Sequence, residues 1–248
     1  MSQQQLSGKA VLITGAGSGL GEATAHAFAK AGCSVACVDL NEQGAQRVGE
    51  SITKENDVQA VAYQCDVSNA NAVFETVKAV GERFGHLDVV VNCAATDYVL
   101  PVEEMTVEQW DRVIGVNLRG PFLFAKAAFP LMRTQGGGHI INIASTAALR
   151  AWGNASAYHA SKTGLVAFGR GLGVEGRPYN IRVTTVLPGG MKTHFFDHFA
   201  DLGIPMPDEK NLQDPANVAA VIVFAAQMPP ESSLQEVLVT PLTETSWP

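Results

Sequence analysis

Short, almost unbroken apolar runs alternate along this chain with longer stretches in which apolar residues recur at helical spacing. The runs predict strands at Ala10–Thr14, Ser34–Leu40, Val58–Cys65, Leu87–Asn92, His139–Ser145, Ile181–Leu187 and Leu234–Thr240. Runs such as Val89-Val90-Val91 and Ile140-Ile141 show no polar alternation, which marks strands covered on both faces and hence a parallel sheet. Between the runs, the spacing predicts helices near Gly19–Ala31, Glu42–Lys54, Ala70–Phe84, Val107–Arg133, Ser156–Gly176 and Pro215–Gln227. Strand–helix alternation from end to end predicts an α/β fold, a Rossmann-type doubly wound sheet of about seven parallel strands with helices on both faces. No linker, repeat or low-complexity segment interrupts the pattern, so residues 1–248 read as a single domain.

Composition narrows the function. The 248 residues are 46% hydrophobic and 17% charged, enough to build a substantial core. A formal net charge of −7 argues against nucleic acid and against anionic membrane surfaces as partners. The most apolar run, Val218 to Ala226, is far shorter than the roughly 20 residues of a membrane span. The polar start Met1-Ser2-Gln3-Gln4-Gln5 has no apolar signal region, so the expectation is a soluble cytoplasmic protein. Cys33, Cys37, Cys65 and Cys93 lie in or beside strand-like runs and form no C-x-x-C pair. They read as buried reduced thiols, not as disulfides or metal ligands.

Two stretches carry chemistry. Thr14-Gly15-Ala16-Gly17-Ser18-Gly19-Leu20-Gly21 follows an apolar strand and opens a helix. Glycines there allow a tight turn and close backbone approach, and a helix N-terminus offers N–H donors to a pyrophosphate. The spacing is G-x-x-x-G-x-G, through Gly15, Gly19 and Gly21. Asp39 ends the second strand, where a carboxylate accepts from ribose hydroxyls and repels a 2′-phosphate. With Ser18 in the loop in place of Arg or Lys, that points to NAD over NADP. The second stretch is Tyr158-His159-Ala160-Ser161-Lys162, which sets Tyr158 and Lys162 on one helix face. An ammonium beside a phenol lowers its pKa and makes it an acid/base. Alone, such a pair is more often a half-buried aromatic beside a solvated charge.

With both stretches in place, the chain resembles the short-chain dehydrogenase/reductase family over nearly its whole length. Thr14–Gly21, including Gly15, Ser18, Gly19, Leu20 and Gly21, looks like that family's cofactor loop. Asp66-Val67 resembles the pair that contacts adenine, and Asn92-Cys93-Ala94-Ala95 a variant of N-N-A-G, with Asn92 and Ala94 on the cofactor. Asn117, Ser145, Tyr158 and Lys162 match the catalytic set, and Pro188, Gly189 and Thr193 the P-G-x-x-x-T beside the nicotinamide. The resemblance implies hydride transfer between a nicotinamide cofactor and a secondary alcohol or ketone. Ser145 would hold the substrate oxygen, Tyr158 would exchange its proton, and Lys162 would bind the ribose and lower the Tyr158 pKa. Asn117 would hold a water linking Lys162 to solvent.

Several positions depart from the pattern. Ala95 replaces a Gly, Cys93 replaces an Asn and removes a polar contact inside the sheet, and Thr184 stands where Asn is frequent. The end of the chain lacks V-D-G-G and closes on Ser246-Trp247-Pro248, a docking tail or a frayed one. The segment around 190–213 falls at the family's substrate lid, where Phe195, Phe196 and Phe199 suit a mainly apolar substrate. His194 and His198 in it lack a third metal ligand. Thr96, Asp97, Tyr98, Arg150 and Trp152 follow strand ends and are further substrate candidates, Arg150 as a grip for a carboxylate or as a surface residue. The alternatives are an NADP-dependent carbonyl reductase and a catalytically idle NAD-binding member. The family implies a homotetramer or homodimer packed through the helices of Asn117 and Tyr158. Gly164, Gly169, Gly171, Gly173 and Gly176 read as a tight helix–helix contact there.

Overall fold

A computed structural model describes residues 5–197 and 208–244. Its sheet has the order β3-β2-β1-β4-β5-β6-β7, and each neighbouring pair is parallel. The strands are β1 Ala10–Thr14, β2 Ser34–Asp39, β3 Ala60–Gln64, β4 Val89–Asn92, β5 Gly138–Ile143, β6 Ile181–Pro188 and β7 Glu236–Val239. The helices are α1 Gly19–Lys30, α2 Glu42–Glu55, α3 Ala70–Phe84, α4 Val107–Ile114, α5 Gly120–Thr134, α6 Ser156–Gly176 and α7 Pro215–Ala226.

The core follows from the period of two along buried strands. On β1, Val11 and Ile13 join Phe28 of α1, Ile52 of α2 and Ile222 of α7 on one face. Leu12, between them, joins Val77 of α3, Phe124 of α5 and Leu172 of α6 on the other. Helices therefore cover both faces, as the unbroken apolar runs require. Strand order reverses between β1 and β4, and ligands of doubly wound sheets bind outside the strand C-termini at such a point.

One predicted element differs. The helix expected at 107–133 is divided by a π-helical segment, Gly115–Arg119, in which Gly120 N–H donates to Gly115 C=O. The Asn117 side chain explains why a wider turn is stable here. Its amide accepts from Thr96 N–H and donates to Thr96 C=O, both at 2.9 Å, and also donates to Ser161 Oγ at 3.1 Å. π-bulges gather at functional sites.

Two of the α6 glycines have a reason within the chain itself. A Cβ on Gly169 would overlap Thr185 Oγ1, and one on Gly176 would overlap the Ile181 carbonyl. Both let α6 lie on β6 of its own sheet. Thr184, where Asn was expected, is likewise accounted for. Its hydroxyl donates to Leu234 C=O at 2.6 Å and accepts from buried His139 Nε2 at 2.8 Å. Burial holds His139 down to about 3, so its ring is neutral.

Candidate active site

The C-terminal edge of the sheet opens into a cleft of about 710 Å³. Its glycine-rich end is made by the turn from β1 into α1. Gly15 has φ +68° and lies so close to β4 that a Cβ would stand 2.9 Å from Ala94 Cα. Gly19 has φ +54°, and a Cβ on Gly21 would overlap the Gly15 carbonyl. Asn41, Asn69, Thr106 and Asp214 cap α2, α3, α4 and α7 with their side chains, whereas Ser18 makes no such bond at α1. The first turn of α1 thus faces the cleft with backbone alone, which suits a pyrophosphate.

Asp39 closes the far side. Its Oδ2 accepts from Gly17 N–H and its Oδ1 from Asn41 N–H, each at 2.8 Å, and the carboxylate lines the cleft. Leu40, 54% exposed, follows it with no positive charge. Arg47 is turned onto Glu22 and the Gly17 carbonyl. Asp66 and Val67 also line the cleft. Burial pushes Asp66 up, but the Ser68 hydroxyl and amide and the Arg112 guanidinium outweigh it and hold the carboxyl below its ordinary range. Arg112 is a cleft residue that sequence reading missed.

Asn92 and Asn117 stand behind the cleft wall rather than on it. Asn92 Nδ2 donates to Asn142 Oδ1 at 2.9 Å within the sheet. Asn117 fixes the Thr96 backbone, as described above. Cys93, expected inside the sheet, is instead half-buried on the cleft lining, where burial pushes its thiol up to about 12. Thr14 Oγ1 accepts from Cys93 N–H and Ala94 N–H at 3.0 and 3.1 Å, which ties this loop to β1.

The chemical end is formed by β5, α6 and β6. Ser145 leaves β5 and caps a short turn, its Oγ accepting from Ala147 N–H at 3.1 Å. Tyr158 and Lys162 lie one turn apart on α6 and both are buried. Lys162 Nζ donates to Ile143 C=O at 2.8 Å and sits 5.6 Å from the Tyr158 ring centroid. Burial lowers Lys162 to about 8. Burial also raises Tyr158 above the ordinary phenol value, against the Ser145 hydroxyl, which lowers it. The expectation that a lysine one turn away depresses the phenol is therefore corrected. The ammonium is itself desolvated and committed to a carbonyl, so desolvation of the phenol wins.

The remaining candidates divide. Pro188, Gly189, Thr193, Thr96, Arg150, Trp152 and Phe195 line the cleft, and Asp97 and Tyr98 do not. Phe195 lies on the Tyr158 ring, with centroids 5.6 Å apart. His159 donates from Nδ1 to Ala147 C=O at 2.8 Å and accepts at Nε2 from Trp152 N–H at 3.2 Å, which pins the Trp152 loop. Arg150 forms an ion pair with Glu244, a residue for which sequence reading had no signal. His198, Phe199 and the Ser246-Trp247-Pro248 tail lie outside the described residues. Among the described residues, no group of three or more His, Cys, Asp or Glu is placed to hold a metal ion, and no helix is long and apolar enough to cross a membrane.

Fold and cleft together define a dinucleotide-fold oxidoreductase, and comparison with known proteins gives the family. The short chain dehydrogenase family model matches residues 9–201. The chain belongs to the short-chain dehydrogenase/reductase family. It is 38% identical over 184 residues to a D-threitol dehydrogenase from Mycolicibacterium smegmatis, covering 74% of this chain and 70% of that one. Among solved structures, an alcohol dehydrogenase from the archaeon Thermococcus sibiricus, complexed with 5-hydroxy-NADP, superposes with a TM-score of 0.87 at 27% identity, covering 96% of this chain and 99% of that one. A metagenomic short-chain oxidoreductase in complex with NADP gives 0.84 at 29% identity, over 97% and 100%.

Proposed function

We propose that this chain is an NAD-dependent oxidoreductase that interconverts a secondary alcohol and a ketone, with Tyr158 as general acid/base. One observation carries the reading: Ser145 and the buried Tyr158 and Lys162 line the same cleft as the glycine-walled mouth of α1 and Asp39. A nicotinamide dinucleotide bound there supplies the acceptor or donor of hydride. Gly15, Ser18, Gly19, Leu20 and Gly21 would hold its pyrophosphate, Asp39 the adenosine ribose, Asp66, Val67 and Ala94 the adenine side, while Asn92, behind the wall, would brace that wall through Asn142. Lys162 would bind the second ribose, and Pro188, Gly189 and Thr193 would flank the nicotinamide.

The residues then divide the proton work. In reduction, the Ser145 hydroxyl donates to the carbonyl oxygen while Tyr158 delivers its phenolic proton to the developing alkoxide. In oxidation Tyr158 would first give up its phenolic proton, through Lys162 and the water at Asn117, and the phenolate would then take the proton of the alcohol. A phenol held above its ordinary value stays protonated at neutral pH, which suits the acid role. Asn117 serves as the relay post.

Asp39 and the apolar Leu40 favour NAD, although two structural neighbours were captured with NADP-type cofactors. We read the chain as one domain with its substrate lid around 190–213. We place it in the cytoplasm, because buried free thiols at Cys33, Cys37 and Cys65 suit a reducing compartment. We also read it as a homodimer or homotetramer, supported by exposed Phe122 on α5 and Val174 on α6. A panel of secondary alcohols with NAD or NADP, followed at the nicotinamide absorbance, tests the function. NADH formation with NAD preferred is expected. Dinucleotide binding without turnover of any alcohol would mean an idle member, and turnover with NADP alone would reverse the cofactor.

A further inference from the structure

Glu244 enters the substrate end of the cleft from beyond β7. Its side chain is 9% exposed, and its Oε1 pairs with the Arg150 guanidinium. Its other oxygen, Oε2, is buried and has no hydrogen-bond partner among the described residues. That oxygen lies directly on the backbone of the Pro188-Gly189 turn, where a Cβ on Gly189 would overlap it. The turn around Glu244 is held by Glu244 N–H donating to Pro241 C=O at 3.0 Å and by Thr243 Oγ1 donating to Lys210 C=O at 2.5 Å. Glu244 and Arg150 line the same cleft as Ser145 and Tyr158.

A buried carboxylate oxygen left without a donor is costly, so a ligand that supplies one gains an interaction already prepared for it. The chemistry of the pair selects the ligand. A substrate carboxylate would meet the like charge of Glu244, and Arg150 already has its counter-ion. A purely apolar substrate would leave the buried Oε2 with nothing to bond. A hydroxyl meets both needs, since it donates to a carboxylate and accepts from a guanidinium.

We propose that the Arg150–Glu244 pair selects polyols, Glu244 Oε2 accepting a hydrogen bond from a second hydroxyl on the substrate while the first reacts at Tyr158. The proposal rests on the oxidoreductase reading above and names its substrate class. Similarity to a D-threitol dehydrogenase is in keeping with it.

The test compares threitol, 2-butanol and 3-hydroxybutyrate as substrates with NAD, in the wild-type protein and in Glu244→Gln. In that variant Arg150 retains the amide oxygen, so an NH₂ donor takes the place of Oε2. The wild type is expected to favour threitol over 2-butanol in kcat/KM by about tenfold or more, the value of one charge-assisted hydrogen bond, and to discriminate against 3-hydroxybutyrate. Glu244→Gln should collapse the threitol preference, chiefly through KM. Threitol should also raise the melting temperature of the NAD-loaded wild type and not that of the variant. A wild-type ratio near one overturns the proposal, even if the variant fails to fold. So does an undiminished ratio in Glu244→Gln, including the case in which only NADH binding weakens. Oxidation of 2-butanol with threitol ignored refutes the polyol reading alone. If none of the three reduces NAD or NADP, while cyclic and longer-chain secondary alcohols are also inert with both, the oxidoreductase reading falls and takes this one with it.

Discussion

At its dinucleotide end the cleft is walled by sheet and backbone, whereas at its substrate end it is walled by loops and paired side chains. The side-chain acceptors of the first end have donors before any ligand arrives, which leaves the backbone N–H groups of α1 as its open donors. Asp39 takes two backbone N–H groups, Asp66 takes Arg112 and Ser68, and Thr14 Oγ1 takes two more amides. The second end holds its polar groups in less settled surroundings. Tyr158 and Lys162 are buried away from their ordinary pKa values, and Glu244 Oε2 is unpartnered among the described residues. The difference teaches a division of labour. The first end is preorganised for one constant shape, and the second keeps its interaction energy for groups that the substrate brings.

Three substitutions would break or sharpen that contrast. Gly21→Ala should act most strongly, because its Cβ would overlap the Gly15 carbonyl and no side chain can yield there. We expect about a 100-fold loss of NADH affinity, from about 1–3 kcal/mol of overpacking at the loop, measured by fluorescence titration. Asp39→Ser comes next. Removing the carboxylate should shift the ratio of NADPH to NADH affinity by about tenfold towards NADPH, since it deletes both a ribose acceptor and a repulsion. An unchanged ratio would move cofactor choice elsewhere on the wall.

Lys162→Met probes the other end, and its effect on stability has an unusual sign. Folding lowers Lys162 from 10.5 to about 8, so below pH 8 the folded state holds a buried charge that the unfolded chain holds in water. Between pH 8 and 10.5 the unfolded state binds more protons, and stability from this residue rises with pH. Replacing the lysine should therefore stabilise the protein without ligand at pH 7, by about 1–3 kcal/mol, and abolish turnover. The gain should shrink towards pH 10.5. A variant that melts below wild type at pH 7 would show that the bond to Ile143 outweighs desolvation.

What could be read from the sequence follows the same division. Seven strands and both long helix termini at Ala70–Phe84 and Ser156–Gly176 were legible because a parallel sheet buries whole runs and local spacing suffices. Gly15–Gly21, Asp39 and Ser145 were legible because each sits at a strand end, and Tyr158 and Lys162 because they stand one helical turn apart. The π segment at Gly115–Arg119 was not, because it depends on Asn117 meeting Thr96 across the fold. Glu244 and Arg150 are 94 residues apart, and no local pattern announces their pairing. Arg112 and His159 were missed likewise, their partners being set by tertiary packing.

The central claim is that Tyr158 moves the proton and does not merely line the cleft. Single-turnover kinetics of Tyr158→Phe with NAD and an alcohol that the wild type oxidises, beside NADH titration of the same variant, address it directly. A fall in the hydride-transfer rate of about 10³-fold with NADH affinity intact is the result predicted. A rate equal to that of the wild type would contradict it.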